Sequence, residues 1–174
     1  VKKLYPSAKL GIGPAIENGF YYDFEIHGGL KEEDLIKIEE LMREEINKDY
    51  PFIQEIWDSS YAIEFFNKRN ETYKVELIKE LNQEQVSIYR HNDFVDLCKG
   101  PHLNSTSEIK YFKLLSISGA YWKGDQNNPQ LIRIYGTAFF TKEDLDNYLN
   151  ILEESKKRDH RLLGRNLELF DIYY

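Results

Sequence analysis

The sequence predicts an α+β domain in which a largely antiparallel sheet packs against helices. Short apolar segments occur in pairs that are separated by turn-forming residues, as in β-hairpins. Segments with apolar residues at helical spacing interrupt these pairs, and this order is typical of α+β folds. The chain has 174 residues, of which 41% are hydrophobic, so it is long enough to bury a core.

The N-terminal third is expected to contain a hairpin and a long helix. Residues 9–16 and 20–26 are the two strands, because Asn18-Gly19 between them favours a tight turn. Apolar residues recur at helical spacing over residues 31–48, and this pattern predicts an amphipathic helix.

The middle third is expected to alternate strands with short helices. We expect a strand, two short helices and a pair of strands at residues 52–57, 58–66, 72–81, 85–90 and 93–98. His91-Asn92 separates the last two segments and favours a turn. The strand that leads to Cys98 is therefore expected to lie inside a sheet.

The last third is expected to contain another hairpin and a C-terminal helix. Residues 110–118 and 131–138 are the strands, and turn formers at residues 124–129 join them. Thr141 begins a helix with a plausible capping box.

Both ends of the chain suggest a piece of a longer protein. The sequence starts at Val1 without a methionine, and it ends on apolar residues without a polar tail. We divide it into a domain over residues 1–140 and a helical linker over residues 141–174.

Composition and charge narrow the function classes. The formal net charge of −7 argues against a free-standing nucleic-acid binder, because contacts with phosphates normally need a basic surface. The basic residues between Lys156 and Arg165 are a local exception, and such a run is either a solvated helix face or a contact for a polyanion. No segment approaches the roughly 20 apolar residues of a membrane span, and no signal sequence is recognisable. We therefore expect a cytoplasmic protein.

The most informative motif is Cys98-Lys99-Gly100-Pro101-His102. Proline disfavours the helical conformation in the residue before it, so Cys98 and His102 are not simply stacked on one helix face. We expect the strand to end at Cys98 and Pro101 to lie in the first turn of a short helix. A single cysteine cannot form an internal disulfide, so the thiol is core filler, a metal ligand or a reactive group.

Several segments, taken in order, resemble the editing region of threonyl-tRNA synthetases, and the sequence is similar also to the corresponding domain of alanyl-tRNA synthetases. The resemblance covers nearly the whole chain. It rests on residues 11–23, Tyr73-Lys74-Val75, residues 96–102, residues 119–125, residues 133–138 and residues 157–161.

The resemblance implies hydrolysis of seryl-tRNA formed by mistake, in a site separate from the synthetic one. A pocket that accepts threonine cannot strongly reject serine, because one methyl group is worth only about 1–3 kcal/mol. A second pocket, narrow and polar, would exclude threonine and complete the discrimination.

The resemblance also implies which residues form this site. His102 would bind or orient the attacking water, and Lys74 would stabilise developing negative charge or place the terminal ribose. Cys98 completes this catalytic set. Tyr22 and Asp96 would bind the substrate, with Asp96 accepting hydrogen bonds from the α-amino group or the serine hydroxyl.

The sequence does not decide whether a metal ion binds in this site. By resemblance, Cys98 and His102 would join two histidines of an HxxxH segment that precedes the position of Val1, and such a four-ligand set suits zinc. A closed four-ligand site would leave no position for a catalytic water, so we favour hydrolysis without a metal. The chain alone is expected to bind zinc weakly or not at all.

Two other functions stay open, a free-standing trans-editing hydrolase of the alanyl type and a non-catalytic brace for the tRNA acceptor arm. The parent protein that the resemblance implies is a homodimer that ligates threonine to tRNA(Thr). Its ATP and a further zinc would bind a catalytic core after Tyr174, because this chain has none of the class II synthetase motifs for ATP. We expect the chain alone to fold but to hydrolyse poorly.

Overall fold

The computed structural model describes residues 1–158 of the chain. Its strands are β1 (Lys9–Leu10), β2 (Ala15–Ile16), β3 (Gly19–Glu25), β4 (Ile53–Asp58), β5 (Gln85–His91), β6 (Phe94–Leu97), β7 (Tyr111–Tyr121) and β8 (Gln130–Phe139). Its α-helices are α1 (Glu32–Asn47), α2 (Ser59–Lys68), α3 (Thr72–Leu81) and α4 (Lys142–Lys157). The predicted α+β class is confirmed, with two antiparallel sheets.

The larger sheet has the order β1-β3-β8-β7, and β2 also pairs with β3. Asp23 of β3 lies opposite Arg133 of β8. The guanidinium of Arg133 donates two hydrogen bonds to the Asp23 carboxylate, at 2.7 and 2.9 Å. Because a bidentate pair has a fixed geometry, it holds the register between these two strands.

The hairpin of β2 and β3 confirms the predicted turn at Asn18-Gly19. Gly19 has a φ of +152°, and a Cβ there would lie 2.2 Å from the Gly136 carbonyl oxygen. Only glycine therefore allows β3 to start so close to β8. The segment before the turn differs from the prediction, because residues 11–14 separate it into β1 and β2.

Helix α1 covers one face of the larger sheet, as its amphipathic pattern predicts. Leu35 and Ile38 of α1 pack in one core cluster with Phe24, Leu114 and Ile134 from the strands. Burial of these apolar side chains is what stabilises the helix on the sheet.

The smaller sheet has the order β4-β5-β6. Helices α2 and α3 cover one of its faces, where Phe66 and Ile78 pack with Val86 and Ile88 in a second core. The predicted pairing that places the strand before Cys98 in a sheet is confirmed, and within residues 1–158 this strand, β6, lies at the edge of the sheet.

The chain also continues differently after β6. The peptide bond between Gly100 and Pro101 is cis, and no helix begins there. The expectation of a short helix with Pro101 in its first turn is therefore wrong, and the next helical turn is a 3₁₀ turn at Thr106–Glu108.

The chain divides into two compact units. The first comprises Val1–Ile109 and Lys113–Thr137, and the second comprises Lys110–Phe112 and the chain from Ala138 onward. The predicted linker begins in the second unit and continues past the described residues, so its boundary stays a prediction.

Helix α4 belongs to the second unit and begins as the sequence predicts. The Thr141 hydroxyl accepts a hydrogen bond from the backbone N–H of Asp144 at 3.1 Å, as an N-cap does. The basic run that starts at Lys156 lies mostly outside the described residues. Within residues 1–158, we find no helix long and apolar enough to cross a membrane.

Candidate functional site

Three polar side chains from three different elements meet in the first unit. Lys74 of α3 lies with its Nζ 2.5 Å from Oδ1 of Asp96, which is on β6. Tyr22 of β3 donates its hydroxyl to Oδ2 of the same carboxylate at 2.5 Å. Lys74 also donates to the Tyr22 hydroxyl at 3.0 Å, so each of the three contacts the other two.

Burial makes this cluster unusual. Lys74 is only 2% exposed, and a buried ammonium is costly unless a carboxylate neutralises it and hydrogen bonds satisfy its protons. The Asp96 carboxylate provides the negative charge. Its Oδ1 accepts a hydrogen bond of 2.7 Å from the backbone N–H of Leu97, which fixes its position. The sequence alone would make Lys74 a solvated lysine on a short helix, whereas the fold turns it inward.

The tip of the β7–β8 hairpin holds α3 in the orientation that Lys74 needs. Trp122 is buried, and its ring centroid lies 4.7 Å from that of Tyr73. The indole N–H of Trp122 donates to Glu76 at 3.1 Å. Tyr73 and Glu76 flank Lys74 on α3, so these contacts fix the helix on both sides of the lysine.

Tyr22, rather than its neighbour Tyr21, belongs to the cluster. Successive side chains of a strand point to opposite faces, and the Tyr21 ring instead stacks with the guanidinium of Arg133, 3.7 Å from the ring centroid. The Tyr22 ring lies against the loop before β2, where a Cβ on Gly13 would be 2.2 Å from the ring. Only glycine at residue 13 lets this loop close over Tyr22.

Cys98 and His102 form a second group, just after β6. Nε2 of His102 lies 3.1 Å from Sγ of Cys98. Gly100 between them has a φ of +72°, and a Cβ there would lie 2.1 Å from the Tyr89 hydroxyl oxygen. The glycine therefore allows a turn that brings the histidine ring back onto the thiol.

Aromatic side chains hold the imidazole of His102. Its ring centroid lies 4.1 Å from that of Tyr89 and 5.4 Å from that of Phe52, which stacks on it. Burial lowers the pKa of His102 below its ordinary value, and the negative charge of Asp96 opposes this shift. The imidazole is consequently neutral near neutral pH and able to accept a proton.

The two groups are close enough to influence each other. The pKa of Tyr22 is raised well above its ordinary value, chiefly by burial, then by Asp96, with smaller effects of Glu71 and Cys98. Tyr22 therefore stays protonated and donates its hydroxyl hydrogen to Asp96. The structure thus brings together all five residues that the resemblance points to: Tyr22, Lys74, Asp96, Cys98 and His102.

The donors present here do not complete a zinc site. Residues 1–158 contain no group of three or more His, Cys, Asp and Glu side chains arranged to hold a metal. Cys98 and His102 supply two donors, whereas catalytic zinc has three protein ligands. Cys98 and His102 therefore need at least one further ligand from outside the described residues to hold a catalytic zinc ion.

Sequence reasoning missed the residues that support the site. Phe52 contacts His102 from just before β4 and Tyr89 contacts it from β5, and no local pattern marks these two residues. Trp122 does lie in a segment that carries the resemblance, but its role in fixing α3 depends on a contact with Tyr73 across 49 positions of the chain.

Comparisons with known proteins agree on one family. Residues 86–135 match the model of the threonyl and alanyl tRNA synthetase second additional domain. This range includes Asp96, Cys98 and His102, but it leaves out Tyr22 and Lys74.

Full-length relatives extend the similarity over nearly the whole chain. The chain is 57% identical to the threonine–tRNA ligase of Acetivibrio thermocellus over 174 residues, which are 99% of this chain and 27% of that protein. It is 58% identical to the ligase of Thermotoga petrophila over 165 residues, 94% of this chain and 26% of that protein. It is 53% identical to the ligase of Aromatoleum aromaticum over 173 residues. The chain thus spans about a quarter of the length of these relatives.

Proposed function

Because this chain is homologous to the editing-domain region of threonyl-tRNA synthetases, we propose that it hydrolyses the ester bond of tRNA(Thr) that carries serine. The observation that carries the proposal is the buried cluster of Lys74, Tyr22 and Asp96 beside the Cys98–His102 pair. It combines a neutral imidazole, a buried cation and a fixed carboxylate in one compact unit. Ester hydrolysis needs a proton acceptor and a stabiliser for negative charge, and this group supplies both.

In the proposed reaction, His102 is the general base. With Nε2 in contact with the Cys98 sulfur, Nδ1 takes a proton from a water molecule. The water oxygen bonds to the ester carbonyl carbon, and the ammonium of Lys74 stabilises the negative charge that forms on the carbonyl oxygen. The bond to the ribose oxygen then breaks, and that oxygen takes the proton back from His102. The products are serine and tRNA.

Substrate selection is the role that we propose for Tyr22 and Asp96. The Asp96 carboxylate is fixed by Tyr22, Lys74 and the Leu97 N–H, so it can accept hydrogen bonds from serine only in a defined position. An additional methyl group on the substrate would have to displace such a fixed group. This requirement would exclude threonine and leave serine as the substrate.

The wider setting is also part of the proposal. The complete protein would ligate threonine to tRNA(Thr) with ATP, as a cytoplasmic homodimer, and it would bind ATP and zinc outside this chain. Two further histidines from a preceding segment could join Cys98 and His102 on a zinc ion, and the metal-free mechanism does not depend on them.

The test is deacylation of seryl-tRNA(Thr) and threonyl-tRNA(Thr) by the complete ligase and by its His102→Ala variant. We expect the wild type to hydrolyse the seryl ester selectively, and the variant to lose about 100- to 10,000-fold in rate, the usual contribution of a general base. His27→Ala is the matched control, because His27 is an exposed loop histidine outside the site. It should hydrolyse at the wild-type rate.

Other results would favour the other functions. Unchanged hydrolysis by His102→Ala would remove this histidine from the mechanism. If the wild type hydrolyses neither ester but still contributes to tRNA affinity, the domain is a brace. Preferential hydrolysis of seryl-tRNA(Ala) would instead indicate an enzyme of the alanyl type.

A further inference from the structure

A cleft lies on the face of the smaller sheet that α2 covers. Its volume is about 330 Å³, and its lining includes Val95 of β6. Asp96 follows Val95 in the same strand, and successive side chains of a strand point to opposite faces. The cleft therefore lies on the opposite face of the sheet from the Asp96 side chain, and its volume lies in the usual range of ligand pockets.

Aromatic rings form one wall of this cleft. Tyr61 of α2 lies with its ring centroid 4.9 Å from that of Trp57 of β4, edge to face. Tyr61 is 54% exposed although it is a large ring. The packing thus supports the Tyr61 ring from behind and leaves part of it open to solvent. An exposed, supported ring is a surface on which a nucleobase can stack.

A cation without a carboxylate partner lies at the end of α2. The guanidinium of Arg69 stacks over the Phe65 ring, 4.3 Å from its centroid, and donates one long hydrogen bond of 3.5 Å to the Asp93 carbonyl. Among the described residues, no carboxylate forms an ion pair with it. Most of its donors are consequently free for an anion.

Two acidic residues, Glu55 and Asp93, line the cleft, and the charge of Glu55 is already neutralised. Glu55 accepts a hydrogen bond from Arg90 at 2.5 Å and another from the Trp57 indole at 2.7 Å. Arg90 in addition has a buried Nε without a partner among residues 1–158.

We propose that this cleft binds one unpaired nucleotide of the tRNA, with the base stacked on Tyr61 and a phosphate on Arg69. The amide of Asn92, which also lines the cleft, is placed to contact the edge of the base. The proposal rests on the proposed function in one respect, that RNA is the substrate. It adds an anchoring site to a chain whose overall charge is negative.

The test measures the affinity of the complete ligase for tRNA(Thr) at several salt concentrations. Tyr61→Ala should weaken binding about 5- to 100-fold, as loss of a stacked base does. Tyr61→Phe keeps the ring and should bind as the wild type does. Arg69→Gln should weaken binding and reduce the salt dependence by about one phosphate contact.

Lys68→Gln is the matched control for Arg69. Lys68 is the adjacent cation on α2, it pairs with Glu64, and it does not line the cleft. Wild-type affinity in Tyr61→Ala would overturn the proposal, and so would equal losses in Arg69→Gln and Lys68→Gln. If Tyr61→Ala weakens binding of free AMP but not of tRNA(Thr), the assignment to RNA is wrong.

The hydrolytic mechanism and the nucleotide-binding cleft are tested by different measurements, so one proposal can be contradicted while the other is supported. Hydrolysis of the seryl ester tests His102, whereas equilibrium binding of tRNA(Thr) tests Tyr61 and Arg69. Loss of affinity in Tyr61→Ala together with unchanged hydrolysis in His102→Ala would contradict the mechanism and support the cleft.

Discussion

At the scale of single residues, the ion pair of Lys74 and Asp96 illustrates how burial changes the role of a charge. The side chains are 3% and 14% exposed, so little water remains to solvate either partner. In such a place each charge depends on the other, and removal of one leaves the second uncompensated. The same pair is what gives the proposed site its fixed cation and its fixed carboxylate.

We therefore predict that Lys74→Met destabilises the fold by about 3–5 kcal/mol, because it leaves Asp96 buried without a counter-charge. The double variant Lys74→Met with Asp96→Asn should recover part of this loss, since both charges are then absent. Urea unfolding of the chain measures the free energy of unfolding for each variant.

The control for this prediction is Lys68→Met. Lys68 and Glu64 form an exposed pair, with side chains 73% and 64% exposed, and its loss should change stability little. An equally small effect of Lys74→Met, or strictly additive effects in the double variant, would mean that the buried pair contributes no net stability.

At the scale of elements, the turn from Cys98 to His102 determines where the imidazole lies. The turn depends on Gly100, whose positive φ is unfavourable for other residues and whose missing side chain makes room for Tyr89. Tyr89 in turn contacts the His102 ring. The φ of Gly100 and its close contact with Tyr89 thus both affect the position of His102, the candidate base.

Gly100→Ala is predicted to reduce both stability and seryl-tRNA hydrolysis. The alanine has an unfavourable φ, which costs about 1–2 kcal/mol, and its Cβ would displace the Tyr89 ring on which His102 rests. Gly28→Ala separates the two effects, because Gly28 has a φ of +88° and a Cβ there would have nothing within 4 Å. Unfolding and deacylation measurements on both variants give the comparison.

We expect Gly28→Ala to lose stability alone and to hydrolyse the seryl ester at the wild-type rate. Equal stability and equal activity of the two alanine variants would show that the contact with Tyr89 has no influence on the site.

At the scale of the whole molecule, the site depends on both sheets of the first unit. Tyr22 comes from the larger sheet, Asp96 comes from the smaller one, and Lys74 comes from the helix that the β7–β8 hairpin holds. The hydroxyl of Tyr22 is where these elements meet. The protonation state of Tyr22 therefore affects the stability of the fold as well as the geometry of the site.

Alkaline pH should destabilise the fold through Tyr22. Burial and Asp96 raise its pKa in the folded state, whereas a tyrosine in the unfolded chain ionises near a pKa of about 10. The stabilisation is therefore fully present below about pH 10 and is lost as the pH rises toward the folded-state pKa. We expect the decline in the free energy of unfolding to be shallower in Tyr22→Phe, by about 1.4 kcal/mol per pH unit.

Urea unfolding at a series of pH values above and below about 10 checks this expectation. Tyr121→Phe is the control, because Tyr121 is 42% exposed and lies outside the cluster. Identical slopes in the wild type and in Tyr22→Phe would mean that Tyr22 ionises as readily in the folded chain as in the unfolded one.

Local features of the fold follow from the sequence by itself. Helical spacing predicted residues 72–81, and the structure has α3 over Thr72–Leu81. Turn formers predicted the hairpin of β2 and β3, and they also predicted the turn between β5 and β6, where Asn92 has a φ of +49°. Such signals are readable because they depend on residues a few positions apart. The class of the fold and the resemblance to a family follow from their order along the chain.

The tertiary structure alone decided how these elements meet. The hydrogen bond between Tyr22 and Asp96 joins residues 74 positions apart, and the ring contact between Phe52 and His102 also joins residues that are distant in the sequence. No periodicity encodes such pairs, because they depend on how helices and sheets pack. The same reason explains why β6 is an edge strand and why the cleft beside Tyr61 was not expected. The sequence by itself determined the helices, strands and turns and, through the resemblance, the candidate residues. Packing decided which charged side chains are buried together.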